Sequence, residues 1–303
     1  MVFSEETGIQ IRNRIIFSNL RNFFEKIYHI PYVLVKGEAL SIQAYGKEGK
    51  RNYSDIDILI NTKDIGEVEK ILVEEGFTSH IQEVSIEERK RRVLHMLYSH
   101  QIVPYFKKVH GIMIEIDVNF DIYWGGFEGK KKEIEILLNR AMDCEIYDCK
   151  VKILPPLEAA MQLVLHNYKD LNSVFHLINK GGMKAYLYWD VYYLLKRNYI
   201  TANELYQICS EWDVVPYAFY LLYYIKELSK DSEVDTYLNM FTSQEGQELL
   251  NCYGLDKKTR KVWGIGCEER LENKELANYL LENMSEEERE TLKKEYRYYL
   301  KGR

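Results

Sequence analysis

The sequence predicts an α+β chain in two parts, and two features carry that prediction. Up to about residue 150, short apolar runs bounded by glycine and proline alternate with helical patterns; after Pro155-Pro156, helical periodicity takes over. At 303 residues the length suits two domains, here 1–150 and 151–303. Hydrophobic residues make up 46% and charged residues 29%, which supports a packed core and argues against disorder.

The elements follow in order. Residues 5–29 read as an amphipathic helix, because Ile11, Ile15, Ile16, Leu20, Phe23, Phe24 and Ile27 recur at helical spacing and Pro31 ends the segment. Residues 32–35, Tyr-Val-Leu-Val between Pro31 and Gly37, suit a buried strand, and residues 39–45 a short helix before the polar loop 46–52. In the next strand, 54–60, Asp55, Asp57 and Leu59 point one way and Ile56, Ile58 and Ile60 the other. Residues 64–76 read as a helix, with Asp64 or Thr62 as cap and Gly76 as stop. Residues 101–107 and 111–120 read as a hairpin around Val109-His110-Gly111. The helical half is broken at Gly181-Gly182, at 213–216 and at 264–266, and Ser285 followed by Glu288 signals a capping box ahead of a charged last helix. The aromatic stretch from Tyr217 to Tyr224 reads as core rather than as a stacking platform.

Composition narrows the function. A net charge of -6 argues against a general nucleic-acid binder. No stretch reaches the roughly 18 uninterrupted apolar residues that cross a bilayer, and the N-terminus does not read as a signal peptide, so the cytoplasm is the expected location. The five cysteines are odd in number, scattered and without a CxxC pair, which suggests neither a zinc knuckle nor a disulfide framework.

Three features of the first half belong together. Lys36-Gly37-Glu38 closes a strand and leads into a helix, where glycine lets backbone N–H groups approach phosphate oxygens. Asp55 and Asp57 share one side of a strand whose other side is isoleucine; such a pair on an edge strand is simply solvated, whereas on a central strand it suits a hard divalent cation. On the segment 114–121, Glu115, Asp117, Asn119 and Asp121 share one face. A third carboxylate from a neighbouring strand is what a two-metal phosphoryl-transfer site needs, although a solvent-facing hairpin would show the same alternation.

Lys36-Gly37-x-Ala39-Leu40, then Tyr45, Arg51 and Ser54-Asp55-Ile56-Asp57-Ile58-Leu59-Ile60, resemble the DNA polymerase β-like nucleotidyltransferase superfamily, and within it the uncharacterised nucleotidyltransferase family 5. The likeness continues into Asp117-Val118-Asn119-Phe120, a later helix with Leu165-His166-Asn167-Tyr168-Lys169, and Asp190, covering roughly residues 30 to 225. The resemblance implies a mixed β-sheet core with flanking helices, followed by a helical domain that covers the nucleotide and acceptor cleft. It implies that Asp55 and Asp57 bind both metals, Mg2+ or Mn2+, that Asp117 completes the set, and that the Gly37 turn holds the triphosphate of an NTP, ATP among them. The reaction would move a nucleoside monophosphate to an acceptor hydroxyl and release pyrophosphate. Two departures stand out: the superfamily's Gly-Ser pair is Gly37-Glu38 here, and Asn119 stands where this branch often has histidine.

Lys36 and Arg51 are candidate phosphate contacts, and His166 and Lys169, three apart on one helical face, are candidate nucleotide contacts; each also has an ordinary reading as a solvated charge or packed side chain. Asp190 is a candidate buried partner for His166 or Lys169. A small-molecule acceptor, such as an aminoglycoside-like antibiotic or a biosynthetic intermediate, is favoured over tRNA or a protein. A catalytically silent nucleotide- or partner-binding chain is a further class. The basic cluster Arg89-Lys90-Arg91-Arg92 would serve an RNA acceptor, but Glu87 and Glu88 precede it.

Overall fold

A computed structural model of the protein describes residues 5–79, 100–125 and 127–301; the basic cluster at 89–92 lies outside them. Helix α1 (Glu5–Ile27) turns Ile16, Leu20, Phe23, Phe24 and Ile27 onto the back of a six-stranded sheet, while Ile11 at the same spacing is exposed. After α1 come β1 (Tyr32–Val35), α2 (Gly37–Tyr45), β2 (Asp55–Ile60), a 3-10 turn at Thr62–Asp64 and α3 (Ile65–Glu74). Asp64 stands at the N-cap of α3, as expected, but its side chain makes no cap bond; Asn61 caps the 3-10 turn, its side chain accepting from the Lys63 amide. Then follow β3 (Tyr105–Val109), β4 (Ile112–Asn119), the short α4 (Glu135–Leu138), β5 (Met142–Ile146) and β6 (Cys149–Ile153).

The strands lie in the order β3-β4-β2-β1-β6-β5. β2 runs parallel to β4 and β1 parallel to β6, the other pairs antiparallel, so the sheet is mixed. Gln101 lies outside β3 and meets β4 at an isolated bridge to Asn119. β3 starts later than its apolar pattern suggests because Pro104 has no N–H to give a ladder. The β5–β6 hairpin, absent from the sequence reading, turns through Tyr147 and Asp148, both at positive φ.

Two apolar clusters cover the two faces of the sheet. Leu34, Ile56, Ile58, Ile60, Ile116 and Val118 join α1 and α3 behind it. Val33, Val35 and Leu59 face forward into a larger cluster built with the helical half. That half begins with α5 (Pro156–Asn172), α6 (Val174–Asn179), α7 (Ala185–Arg197), α8 (Ala202–Glu211) and α9 (Val215–Ser229). It continues with α10 (Val234–Phe241), α11 (Gln244–Leu250), the two-residue strands β7 (Cys252–Tyr253) and β8 (Lys261–Val262), α12 (Cys267–Glu272), α13 (Leu276–Glu282) and α14 (Glu286–Lys301). The expected breaks fall between elements, Gly181-Gly182 between α6 and α7, 212–214 between α8 and α9 and 264–266 ahead of α12, and Ser285 and Glu288 form the expected capping box. Tyr217, Tyr220 and Tyr224 on α9 are buried. Among the described residues, no helix is long and apolar enough to cross a membrane.

Loop 46–52 is tied to the helical half through charge. Arg51 lies 3.1 Å from the Asp190 carboxylate on α7, which also accepts from the Tyr45 hydroxyl at 2.6 Å. Asp190 is 1% exposed, so removing its cation leaves a carboxylate that burial disfavours. Arg51→Ala is expected to lower stability by on the order of 3 kcal/mol. Adding Asp190→Ala should recover part of the loss, a coupling above about 1 kcal/mol in a urea-denaturation double-mutant cycle. Additive losses would show that the contact carries no stability.

Candidate active site

β2 and β4 are parallel and in register, which pairs Asp55 with Glu115, Asp57 with Asp117 and Leu59 with Asn119. Paired residues on neighbouring strands point to the same face at a spacing of about 4.8 Å, and residues two apart on one strand share a face. Asp55, Asp57 and Asp117 therefore all stand on the forward side with Leu59. Asp57 is 4% exposed and Asp117 9%, while Asp55 is half-buried.

Two amides hold the pair. Asn119 donates to Asp57 Oδ1 at 3.3 Å, and Gln101, its bridge partner, donates to Asp117 Oδ2 at 3.4 Å. Asp117 Oδ1 is buried and has no hydrogen-bond partner among the described residues. Burial first, then the repulsion of Asp55, Asp57 and Glu115, pushes the Asp117 carboxyl well above its ordinary value. Asp57 is raised too, by burial, with Lys36 opposing and Asp55 adding to the shift.

Lys36 follows β1, whose Val35 pairs with Asp57. Its backbone is turned to φ 57, ψ -145, a region costly for a side-chain-bearing residue, by on the order of 1–3 kcal/mol. That turn sets Lys36 Nζ 2.7 Å from Asp57 Oδ1. Gly37 follows at φ +40; an added Cβ would meet only the Tyr53 ring at ordinary distance, so conformation rather than crowding selects glycine. The side chain of Lys36, at the N-cap, makes no cap bond to the first turn of α2.

Glu38 points away from this face. Both its oxygens accept from the Gly49 amide, and one also accepts from Asn13 and the Tyr147 hydroxyl. An acid beside the glycine turn is thus buried at 1% exposure as a tie between α1, the 46–52 loop and the β5–β6 turn.

The opposite wall comes from α5. Val35, Lys36, His100, Asn119, His166 and Lys169 line one cleft. Lys169 Nζ lies 3.3 Å from His100 Nε2. Burial lowers Lys169 to about 8 despite the pull of Asp170. His166 and His176 lie 3.6 and 3.8 Å from Asp170, and Lys180 reaches the same carboxylate. Burial disfavours the Asp170 anion, but His176, His166, Lys180 and Lys169 hold it well below the usual carboxylate range.

Of the residues singled out in the sequence, Lys36, Asp55, Asp57 and Asp117 meet on one face, with His166 and Lys169 across from them. Arg51 is engaged with Asp190, which corrects the expectation that Asp190 partners His166 or Lys169. His100, Gln101, Asp170 and His176 were not anticipated. Only Asp170, one residue beyond Lys169 on a helix already singled out, carried a usable signal.

Among the described residues, no three His, Cys, Asp or Glu side chains converge closely enough to hold an ion as they stand. The donor set nevertheless suits a hard divalent cation: carboxylate oxygens, one of them buried without a partner, and an ammonium resting on another.

Acidic strands on one wall and a helix presenting Lys169 and His166 on the other, with a strained turn at Lys36-Gly37 between, are the equipment of a nucleotidyltransferase. The chain belongs to the uncharacterised nucleotidyltransferase family, whose model matches residues 6–230. No curated protein matches it. Among solved structures, it is similar to the antibiotic-resistance factor ANT(2'')-Ia, with 10% identity and a TM-score of 0.39, over 73% of this chain and 98% of that one. It is also similar to an antigenic nucleotidyltransferase-like protein from Paracoccidioides brasiliensis, with 15% identity and a TM-score of 0.37, over 76% of this chain and 92% of that one.

The buried groups set opposing pH dependences. Burial lowers His176 to about 3, with Asp170 pulling the other way. The unfolded chain takes up that proton near 6.5, so the neutral ring's contribution is complete above pH 6.5 and is lost below it, at about 1.4 kcal/mol per pH unit. Asp117, raised, has the opposite sign: its contribution is complete below the unfolded pKa of about 3.9 and is lost as pH rises through its folded value. Between pH 6.5 and 4, His176→Phe should flatten the acid loss of stability and Asp117→Asn should steepen it. Urea unfolding at each pH measures both slopes; slopes matching the parent protein would refute the assignment.

Proposed function

We propose that the protein transfers a nucleoside monophosphate from a nucleoside triphosphate to an acceptor hydroxyl, favouring a small molecule and releasing pyrophosphate. The observation that carries this reading is the parallel register that sets Asp117 beside Asp57, with Lys36 on Asp57 and lining, together with Lys169, the adjoining cleft. Asp55, Asp57 and Asp117 would hold divalent ions, Mg2+ or Mn2+. Bound there, such ions supply positive charge against the phosphoryl oxygens.

The chain's own residues do the rest. Lys36 and the amides at the start of α2 bind the triphosphate, with Lys169 and His166 closing on it from α5. The acceptor oxygen forms a bond to the α-phosphorus as the bond from that phosphorus to the bridging oxygen breaks, and pyrophosphate leaves. The acceptor's proton passes to Asp117, whose Oδ1 is buried without a hydrogen-bond partner among the described residues. Positioning and charge neutralisation supply most of the rate in such a scheme. A net charge of -6 and a cleft walled by buried side chains favour a small acceptor over a polyanionic one.

The salt bridge from Lys36 to Asp57 also fits a catalytically silent chain, in which a lysine permanently occupies the carboxylate. Labelled triphosphates with Mg2+ and a panel of polyhydroxylated and aminoglycoside-type acceptors, scored for pyrophosphate release, separate the two. Asp57→Asn should reduce transfer by roughly a thousandfold, equal to about 4 kcal/mol of transition-state stabilisation, with the circular dichroism spectrum unchanged. Transfer that survives this substitution, or its absence from the parent protein with every acceptor, would reject the proposal.

A further inference from the structure

His100 lines the same cleft and has no part in the scheme above. It is 7% exposed, and its carbonyl accepts from the Phe120 and Asp121 amides at 2.8 and 3.3 Å, which pins it beside the end of β4. Its Nε2 lies 3.3 Å from Lys169 Nζ. An ammonium has hydrogens to give and no lone pair, so Nε2 accepts and the neutral ring's hydrogen sits on Nδ1. Burial first, then the charges of Lys169 and Lys36, lower the ring's pKa well below 6.5, so it is neutral at pH 7.

That Nδ1 is buried and has no partner among the described residues. A buried donor without an acceptor costs about 1–3 kcal/mol. The titratable groups acting on the ring are Lys36, Lys169, His176, which burial keeps neutral, and Asp170; the Asp170 carboxylate is already engaged by Lys180. Lys36 and Lys169 line the same cleft, so an acceptor that satisfies Nδ1 there is best supplied by a bound anion with oxygen atoms.

We propose that His100 is a further substrate-binding residue, donating its Nδ1 hydrogen to an oxygen of the triphosphate while Lys169, resting on Nε2, fixes the ring's tautomer. This rests on reading the cleft as a triphosphate site. It adds a neutral donor whose position, unlike that of a flexible lysine, is fixed by backbone bonds.

The two ring nitrogens can be tested separately. Asparagine presents an N–H close to where Nδ1 stood, and glutamine one close to Nε2. Inorganic tripolyphosphate with Mg2+, measured by calorimetry on the full chain, should bind the parent protein and His100→Asn within a factor of about three. Binding to His100→Gln and His100→Ala should weaken by about tenfold, as loss of one hydrogen bond to a charged group does. Undiminished binding by His100→Gln, equal weakening of the asparagine and glutamine variants, or no binding by the parent protein overturns the proposal. Nitrogen-15 NMR of the unaltered protein gives a test that no substitution can confound: the His100 ring should be the Nδ1–H tautomer, and Nδ1 should shift on adding tripolyphosphate. An Nε2–H tautomer overturns it. Tripolyphosphate binding with this pattern, but no nucleotide turnover, would sink the transferase reading and support the assignment of His100. Turnover with an unchanged KM for the triphosphate in His100→Gln would sink the assignment alone.

Discussion

Like charges gathered on one face of two parallel strands are the constraint around which the rest of the molecule is arranged. Asp55, Asp57 and Asp117 repel one another, and burial of the last two adds to the cost. The strands cannot relieve this by slipping: a one-residue shift would carry Ile56, Ile58 and Ile116 out of the rear core and set the acids in their place. The apolar back of the sheet fixes the register, and the register fixes the carboxylates. Relief has to come from groups brought to them: Lys36 on Asp57, Asn119 on Asp57, Gln101 on Asp117.

The same logic runs in mirror image across the cleft. On α5 and its neighbours, Lys169, Lys180, His166 and His176 surround one carboxylate, Asp170, and burial keeps the histidines neutral. Neither wall is balanced within itself, and on the acidic one Lys36 offsets only Asp57 directly. A small cleft with separated excesses of charge suits a ligand that carries both signs, which a metal-bound triphosphate does. That links the fold's electrostatic cost to the proposed chemistry rather than to stability.

Much of this was legible in the sequence. The alternation in 54–60 and in 114–121 gave the acid faces directly, since period two has only one reading on a buried strand. Helical spacing gave α1, α3 and the helical half. What was missed depends on tertiary context. The β5–β6 hairpin turns through Tyr147-Asp148, not an Asn-Gly type signal, although Cys149, Val151 and Ile153 alternate inward and were there to be read. Asp190 looked like a partner for a helix close to it in sequence, yet its cation comes from residue 51, across the fold. His100 and Gln101 sit in irregular chain with no periodicity to mark them; only the bridge to Asn119 turns Gln101 onto a carboxylate.

Glu38 shows how a departure from a family pattern can be absorbed. At the start of a helix aimed at phosphate, a carboxylate facing the site would oppose the ligand by direct repulsion. Here the first turn of α2 rotates it to the rear, where the Gly49 amide, Asn13 and Tyr147 satisfy it. The residue that would have weakened the turn instead fastens it to α1 and to the loop carrying Arg51. That loop in turn grips Asp190 on α7. The glycine turn is thereby joined by successive polar contacts to both halves of the molecule, so its strained backbone at Lys36 is held from behind. A lysine in so unfavourable a conformation needs such support if its ammonium is to stay over Asp57.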